Sequence, residues 1–404
     1  MNLKQQISDI VSDELLEEIR TIRRQLHQNP ELSFQEYKTS QTIRGLLDQW
    51  GVSYSYPFVK TGILARIVGD RPGKRIALRS DMDALPIQEE TGLEFASNNT
   101  GVMHACGHDM HMASLLGTIR VLNQMKHEIE GEILFLFQPG EEMNPGGAKL
   151  MLEEGVFIEW QPDMIIAQHV LPEMEAGHVG FRPGIYMASA DEIYIRVKGK
   201  GGHAALRQHL KDPILMASQI LLSLQEEVSQ KAPSSVPTVL SFGKVIADGA
   251  VNVIPDDVTL EGTFRTMNEE WRKEAHRLIE QTATEISSGM GGSVEVEIRH
   301  GYPVLHNHEQ ITLESKNLAL KMLGSTRVED MEIRMTAEDF AWYTQSIPGM
   351  MYRLGVRKPG TDTVLQLHTP RFQVDESALK TGISLMAFLS IELLKIGTVE
   401  KINS

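Results

Sequence analysis

Between residues 62 and 167 short β-rich runs alternate with helical stretches, and that alternation restricts the chain to an α/β sheet covered by helices on both faces. Predicted strands fall at 63–68, 75–78, 132–137 and 164–167, with predicted helices at 113–125 and 147–154. Polar residues come directly after three of these strands: Asp81 and Asp83, then Glu141 and Glu142, then His169. Open α/β sheets gather ligands beyond the carboxyl ends of their strands, so one pattern proposes both a fold and a place for a site.

After Arg182, Pro183 and Gly184 the texture changes. Strand and helix signals at 193–197, 213–229, 238–245, 258–265, 269–287 and 294–298 give the order β-α-β-β-α-β, that of a ferredoxin-like unit. A chain of 404 residues exceeds what one core usually holds. The expectation is an α/β catalytic domain with a mixed central sheet flanked by helices, made of residues 1–184 and 299–404. Residues 185–298 form an inserted α+β domain. At the N-terminus Leu15, Leu16, Ile19, Ile22 and Leu26 recur at helical spacing before Pro30. Ser33 and Glu36 have the spacing of a capping box opening a second helix that would carry Phe34, Ile43, Leu46, Leu47 and Trp50. His27 reads as a helix C-terminal histidine meeting the macrodipole.

A net charge of -15 argues against nucleic acid or anionic membranes as partners, since both need basic patches that dominate the local field. The single cysteine excludes an internal disulfide framework and fits a reducing compartment. The charged first 24 residues lack the apolar core of a signal peptide, and no run of about 18 apolar residues occurs, so a cytoplasmic protein is expected.

That one cysteine, Cys106, lies in VMHACGHDMHMAS beside His104, His108, Asp109 and His111. Thiolate and imidazole suit zinc, cobalt, nickel or manganese-type ions better than calcium or magnesium. Alone, a buried cysteine is more often packing than ligand. In QPGEE the adjacent side chains of Glu141 and Glu142 diverge, so one carboxylate can hold metal while the other accepts a proton. His169 in AQHV and His368 in LQLHTP each read singly as a core histidine. Together Cys106, His108, Glu142, His169 and His368 supply five donors, enough for two ions with a position left open. Asp81 and Asp83 are further candidates, with Asp83 preferred as an acceptor that orients an imidazole from behind. In GKGGHAA, glycines before His203 let backbone approach a ligand or simply make a flexible surface loop, and Asn252 and Arg265, which could bind a carboxylate, read on the residues alone as ordinary exposed strand residues. His300, His306 and His308 lack acidic or cysteine companions and read as solvated hinge residues.

HACGHD, QPGEE, AQHV and GKGGHAA, in this order, resemble the M20 metallopeptidase family, and more narrowly its amidohydrolase subfamily of hippurate, indole-acetyl-amino acid and N-acyl-amino acid hydrolases. The similarity runs from LHQNPELSFQE through TAEDFAWY to LQLHTP. It implies a two-ion catalytic domain with an inserted ferredoxin-like dimerisation or lid domain. It also implies the five ligands named above, Glu141 as general base, and His203 reaching a partner subunit's site to hold an oxyanion. Asn252 and Arg265 would line the substrate side. The reaction implied is hydrolysis of the amide of an N-acyl amino acid by a metal-bound water, with two divalent ions (Mn, Zn, Co or Ni) and a homodimer or higher homo-oligomer.

Two departures stand out. Where the wider family carries His-x-Asp this chain has Asp81-Met82-Asp83, and where the subfamily commonly has HAAxPH it has HAALRQ, so Arg207 sits at the expected pocket rim and would bias it toward acidic or extended substrates. The alternatives are an N-acetyl-diaminopimelate deacetylase or dipeptidase of the same family, a hydrolase using Cys106 as nucleophile, and a non-catalytic metal-binding protein on the same scaffold.

Overall fold

The computed structural model describes residues 2–397. They fall into two compact units, one from residues 2–186, 306–333 and 339–397, the other from Met187–Leu305 and Arg334–Glu338.

In the first unit α1 (Leu3–Ile10) and α2 (Asp13–Gln28) are separate helices, because Ser12 caps the second by accepting from Leu15 N. Leu15, Ile19, Ile22 and Leu26 are the buried stripe of α2. The capping box is not formed. α3 (Tyr37–Gln49) starts after Glu36 with no side-chain cap, and Phe34, at φ 63°, lies outside it. Ser33 and Glu36 instead bond to segments remote in sequence, Ser33 Oγ to Asp83 and Glu36 to Thr61 and Gly140.

A hairpin the sequence reading did not resolve, β1 (Ser53–Phe58) with β2 (Gly62–Val68), edges an eight-stranded mixed sheet. β3 (Arg71–Asp81) pairs in parallel with β4 (Glu130–Gln138) on one side and β5 (Met164–Glu175) on the other. Strand Gly349–Arg357 runs parallel to β5, while β2 is antiparallel to β4. Four neighbouring strands thus end on one edge. β6 (Val179–Phe181) and Val328–Asp330 close the far side. Ile133 to Phe137 are wholly buried, the continuous apolar run expected of a strand covered on both faces. α4 (His108–Gln124) is buried nearly all round, packed against α2 and the helix Ala378–Leu394, and its first turn opens at the same edge.

The second unit has its own core of Ile193, Ile195, Leu260, Phe264, Ile220 and Ile279 among others. Its antiparallel sheet runs, in space, Thr238–Ile246, Asp257–Thr266, Asp191–Lys198, Ser293–His300. With helices Pro213–Lys231 and Glu269–Gly289 this is the ferredoxin-like arrangement. Asp212 caps the first helix ahead of Pro213, and Asn268 caps the second. Among the described residues no helix is long and apolar enough to cross a membrane.

Candidate metal centre

Asp81 closes β3 and lies opposite Gln138, the last residue of β4, while His169 sits inside β5, so both are strand residues rather than loop residues. Between Cys106 and His108 the chain needs a left-handed turn. Gly107 takes φ 82°, and a Cβ there would come within 2.7 Å of Val170. The consequence is convergence: donor atoms of Cys106, His108 and His169 lie within 4.8 Å of one another, as do those of Cys106, Glu142 and His368, and those of His108, Glu141 and Glu142. His368 joins through a left-handed backbone, φ 59°, with its N–H donating to Ala105 O at 2.9 Å. All six residues belong to the first unit.

The hydrogen bonds decide which ring atoms face the cluster. His108 Nδ1 donates to Asp83, 2.9 Å from its carbonyl and 3.2 Å from Oδ1, leaving Nε2 without a hydrogen-bond partner 3.9 Å from Glu142 Oε1. His169 Nδ1 donates to Val170 O at 2.8 Å, leaving Nε2 3.7 Å from Cys106 Sγ. His368 Nε2 is 3.2 Å from Glu142 Oε1, another buried atom without a hydrogen bond. Orphaned lone pairs aimed at one spot are costly unless a cation takes them.

Electrostatics agrees. Burial would lower His108, but the carboxylates of Asp81, Asp83 and Glu142 outweigh it and raise the imidazole to about 10. Burial, then Glu142, Glu141 and Asp81, push the Cys106 thiol well up. Burial, then Arg353 and His111, hold His169 neutral. Carboxylates that draw a proton onto His108 and hold Cys106 as a thiol mark a site short of positive charge, and with sulfur and imidazole donors beside them divalent ions fit it.

Several neighbours escaped the sequence reading. His111 places Nδ1 2.6 Å from Asp81 Oδ1 and accepts the Val170 N–H at Nε2, so both ring nitrogens are engaged although Asp81, His108 and His111 also bring donor atoms within 4.8 Å of one another. Buried Arg79 donates to Asp81, Gln138 and Asp339, and Gln138 bonds Asp339 in turn. An arginine inside the apolar run before Asp81 was the signal for this network. His27 lies in the last turn of α2 as expected, and it also engages two carboxylates: its Nδ1 lies 2.9 Å from Asp109 and its Nε2 3.2 Å from Glu89, with Arg23 donating to the same Asp109 oxygen at 2.7 Å. His104 is buried beside them, its nitrogens without hydrogen bonds, and burial draws it down to about 4. HACGHDMH therefore divides between the donor cluster and two supporting networks.

His203, Arg207, Asn252 and Arg265 belong to the second unit. His203 lies, exposed, on the two-stranded ribbon Gly202–His203 with Val253–Ile254, and the backbone carbonyl of Asn252, just before Val253, accepts from Ala204 N. Arg265 is half-buried on the main sheet and donates to Met335 O at 3.2 Å. Arg207 is exposed in the short helix Arg207–His209. His308 caps helix Glu309–Leu323 rather than standing free in a hinge.

A mixed sheet whose parallel strands bring a thiol, imidazoles and carboxylates to one edge defines a metal-dependent hydrolase. The chain belongs to peptidase family M20/M25/M40, which it matches over residues 77–391. It is 42% identical over 308 residues to the N-acyl-L-amino acid amidohydrolase of Geobacillus stearothermophilus, covering 76% of this chain and 82% of that one. It is 40% identical over 375 residues to the N-acetylcysteine deacetylase of Bacillus subtilis strain 168, covering 93% and 96%. The solved Bacillus subtilis YXEP protein, described as a dinuclear metal binding peptidase from the M20 family, matches with a TM-score of 0.82 at 35% identity over 95% of this chain and 99% of that one.

Proposed function

We propose that this protein hydrolyses the amide bond of N-acyl amino acids, with Cys106, His108, Glu142, His169 and His368 holding two divalent ions and Glu141 acting as general base. The convergence of those donors with an adjacent second carboxylate carries the reading. When bound, such ions polarise the scissile carbonyl and bring the pKa of water toward neutrality. Manganese, zinc, cobalt and nickel all suit this donor set.

Glu141 Oε2 lies 4.0 Å from His108 Nε2, at the rim of the donor cluster and on the same turn as Glu142. It takes the proton of the attacking water and returns it to the departing amine. Asp83 fixes the His108 ring so that Nε2 faces inward. His203 donates to the developing oxyanion in the site of a partner copy, Asn252 and Arg265 hold the substrate carboxylate, and Arg207 biases the rim toward acidic or extended substrates. A homodimer suits this division of labour. Thr238–Ile246 is an edge strand, and Leu222, Val245 and Ile246 leave 70, 55 and 44% of their surfaces exposed in that unit. The single cysteine fits a reducing, cytoplasmic setting.

A panel of acetyl, benzoyl and longer acyl amino acids, assayed with added manganese, cobalt or zinc, tests the reading. Turnover of several members is expected, and Glu141→Gln should keep its metal while losing about 10²- to 10⁴-fold in kcat. Activity that survives chelation and is lost in Cys106→Ser would favour a cysteine nucleophile instead.

A further inference from the structure

The segment ELSFQE, Glu31 to Glu36, has no part in the ligand set, yet it ties together the two turns that carry the carboxylates. Leu32 bridges to Ala84, and Ala84 N donates to Glu31 O at 2.8 Å, docking the segment beside the end of β3. Ser33 Oγ donates to Asp83 Oδ2 at 2.7 Å, and that same oxygen accepts the Glu142 N–H at 3.0 Å. Glu36, fully buried, accepts the N–H of Gly140 at 2.9 Å and of Phe34 at 2.8 Å on Oε1, and the Thr61 hydroxyl at 2.8 Å on Oε2. Phe34 and Gly140 both adopt positive φ, 63° and 62°, and the Phe34 ring lies so close that a Cβ on Gly140 would meet it at 2.3 Å. A phenylalanine held at positive φ is strained backbone, retained where surrounding bonds over-determine it.

The amides on either side of Glu141 are therefore each held by a buried carboxylate, Gly140 by Glu36 and Glu142 by Asp83, the latter steadied by Ser33. We propose that Glu36 and Ser33 are positioning residues for Glu141: they fix the turn so that the base stays aimed at the water it deprotonates. This rests on Glu141 being the base. Neither residue contributes a donor atom to the cluster, so their loss acts through the geometry of the turn.

The test compares Glu36→Gln with Glu36→Ala. Glutamine keeps an acceptor for both amides and can donate to Thr61, so kcat should stay within about threefold of wild type. Alanine leaves two amides without partners, and kcat should fall about 10- to 100-fold while KM moves less than about threefold. Metal content, by elemental analysis, should be unchanged, and the Gly140 amide should exchange with deuterium faster only in the alanine variant. Wild-type kcat in Glu36→Ala, equal impairment in both variants, or unaltered Gly140 exchange overturns the proposal. Should Glu36→Ala not fold, Ser33→Ala replaces it, with an expected loss of about 3- to 10-fold in kcat at constant KM and metal content; wild-type kcat there overturns it equally. Full activity in Glu141→Gln would instead remove the base, an outcome separable because Gly140 exchange does not depend on turnover.

Discussion

The imidazole of His111 accepts the backbone N–H of Val170 at Nε2, 2.9 Å away, where β5 loses β3 as its neighbour: pairing between the two strands ends at Arg79 opposite Ala167. With Nδ1 2.6 Å from Asp81 Oδ1, the ring carries its proton there, and Asp81, itself held by Arg79, sets the tautomer. The ring replaces the missing strand and steadies the residue after His169. His111→Phe keeps the bulk but leaves the Val170 amide and an Asp81 oxygen buried without partners. A loss of about 1 to 3 kcal/mol for each is expected, read as a lower urea midpoint at unchanged slope. An unmoved midpoint contradicts the role given to the ring.

Removing metal should cost stability as well as activity. His108 Nε2 lies 3.7 Å from Asp81, 4.0 Å from Glu141 and 3.9 Å from Glu142, three carboxylates crowded into a buried space. Ions that bind only the folded chain add about 2.7 kcal/mol per site at a hundredfold excess over Kd. EDTA should lower the thermal midpoint and abolish turnover, and excess manganese, cobalt or zinc should restore both. A midpoint indifferent to chelation would mean that no ion is held there.

How much of this was visible beforehand depended on range. The mixed α/β sheet, the ferredoxin-like α+β arrangement and the strand-end edge were legible because period and apolar runs are local properties, and the candidate donors Cys106, His108, Glu142, His169 and His368 stood out as scarce residue types, most of them placed after such runs. Pairings across the chain were not. Arg79 with Asp339, and Arg23 with Asp109, join residues from distant stretches whose periodicity carries no mark of the partner. Ser33 and Glu36 had the right spacing for a helix cap, but Asp83, Thr61 and Gly140 offered buried partners, and tertiary satisfaction overrode the local pattern.

Acid should weaken the second unit through Asp191, which accepts from Arg272 Nε and His276 Nε2, both at 2.8 Å, and from Gly301 N at 3.1 Å. Burial pushes this carboxyl up, but Arg272 and His276 prevail and hold it at about 2, against 3.8 for a free aspartate. The folded value is the lower one, so the stabilisation is complete above about pH 4 and is lost as pH falls toward about 2, a difference of about 2 kcal/mol. Asp191→Asn should be less stable than wild type at neutral pH, and the gap should close across that acid window in a urea series. A gap of constant size would remove the ionic contribution.

Sharing of the site between copies has its own arithmetic. His203 is exposed on its ribbon, on a unit separate from the donors, and the proposed role has it serve the partner's cluster. Mix His203→Ala chains with Glu141→Gln chains, each inactive alone. In a mixed dimer the chain that keeps Glu141 receives an intact His203 from its partner, so one of the two sites is whole. Random one-to-one pairing makes half the dimers mixed, and about a quarter of wild-type activity should return. Isolating the mixed species by two different affinity tags should raise that to about half. If His203 instead served its own chain, no combination would hold both residues in one site, and the purified mixed dimer would stay inactive.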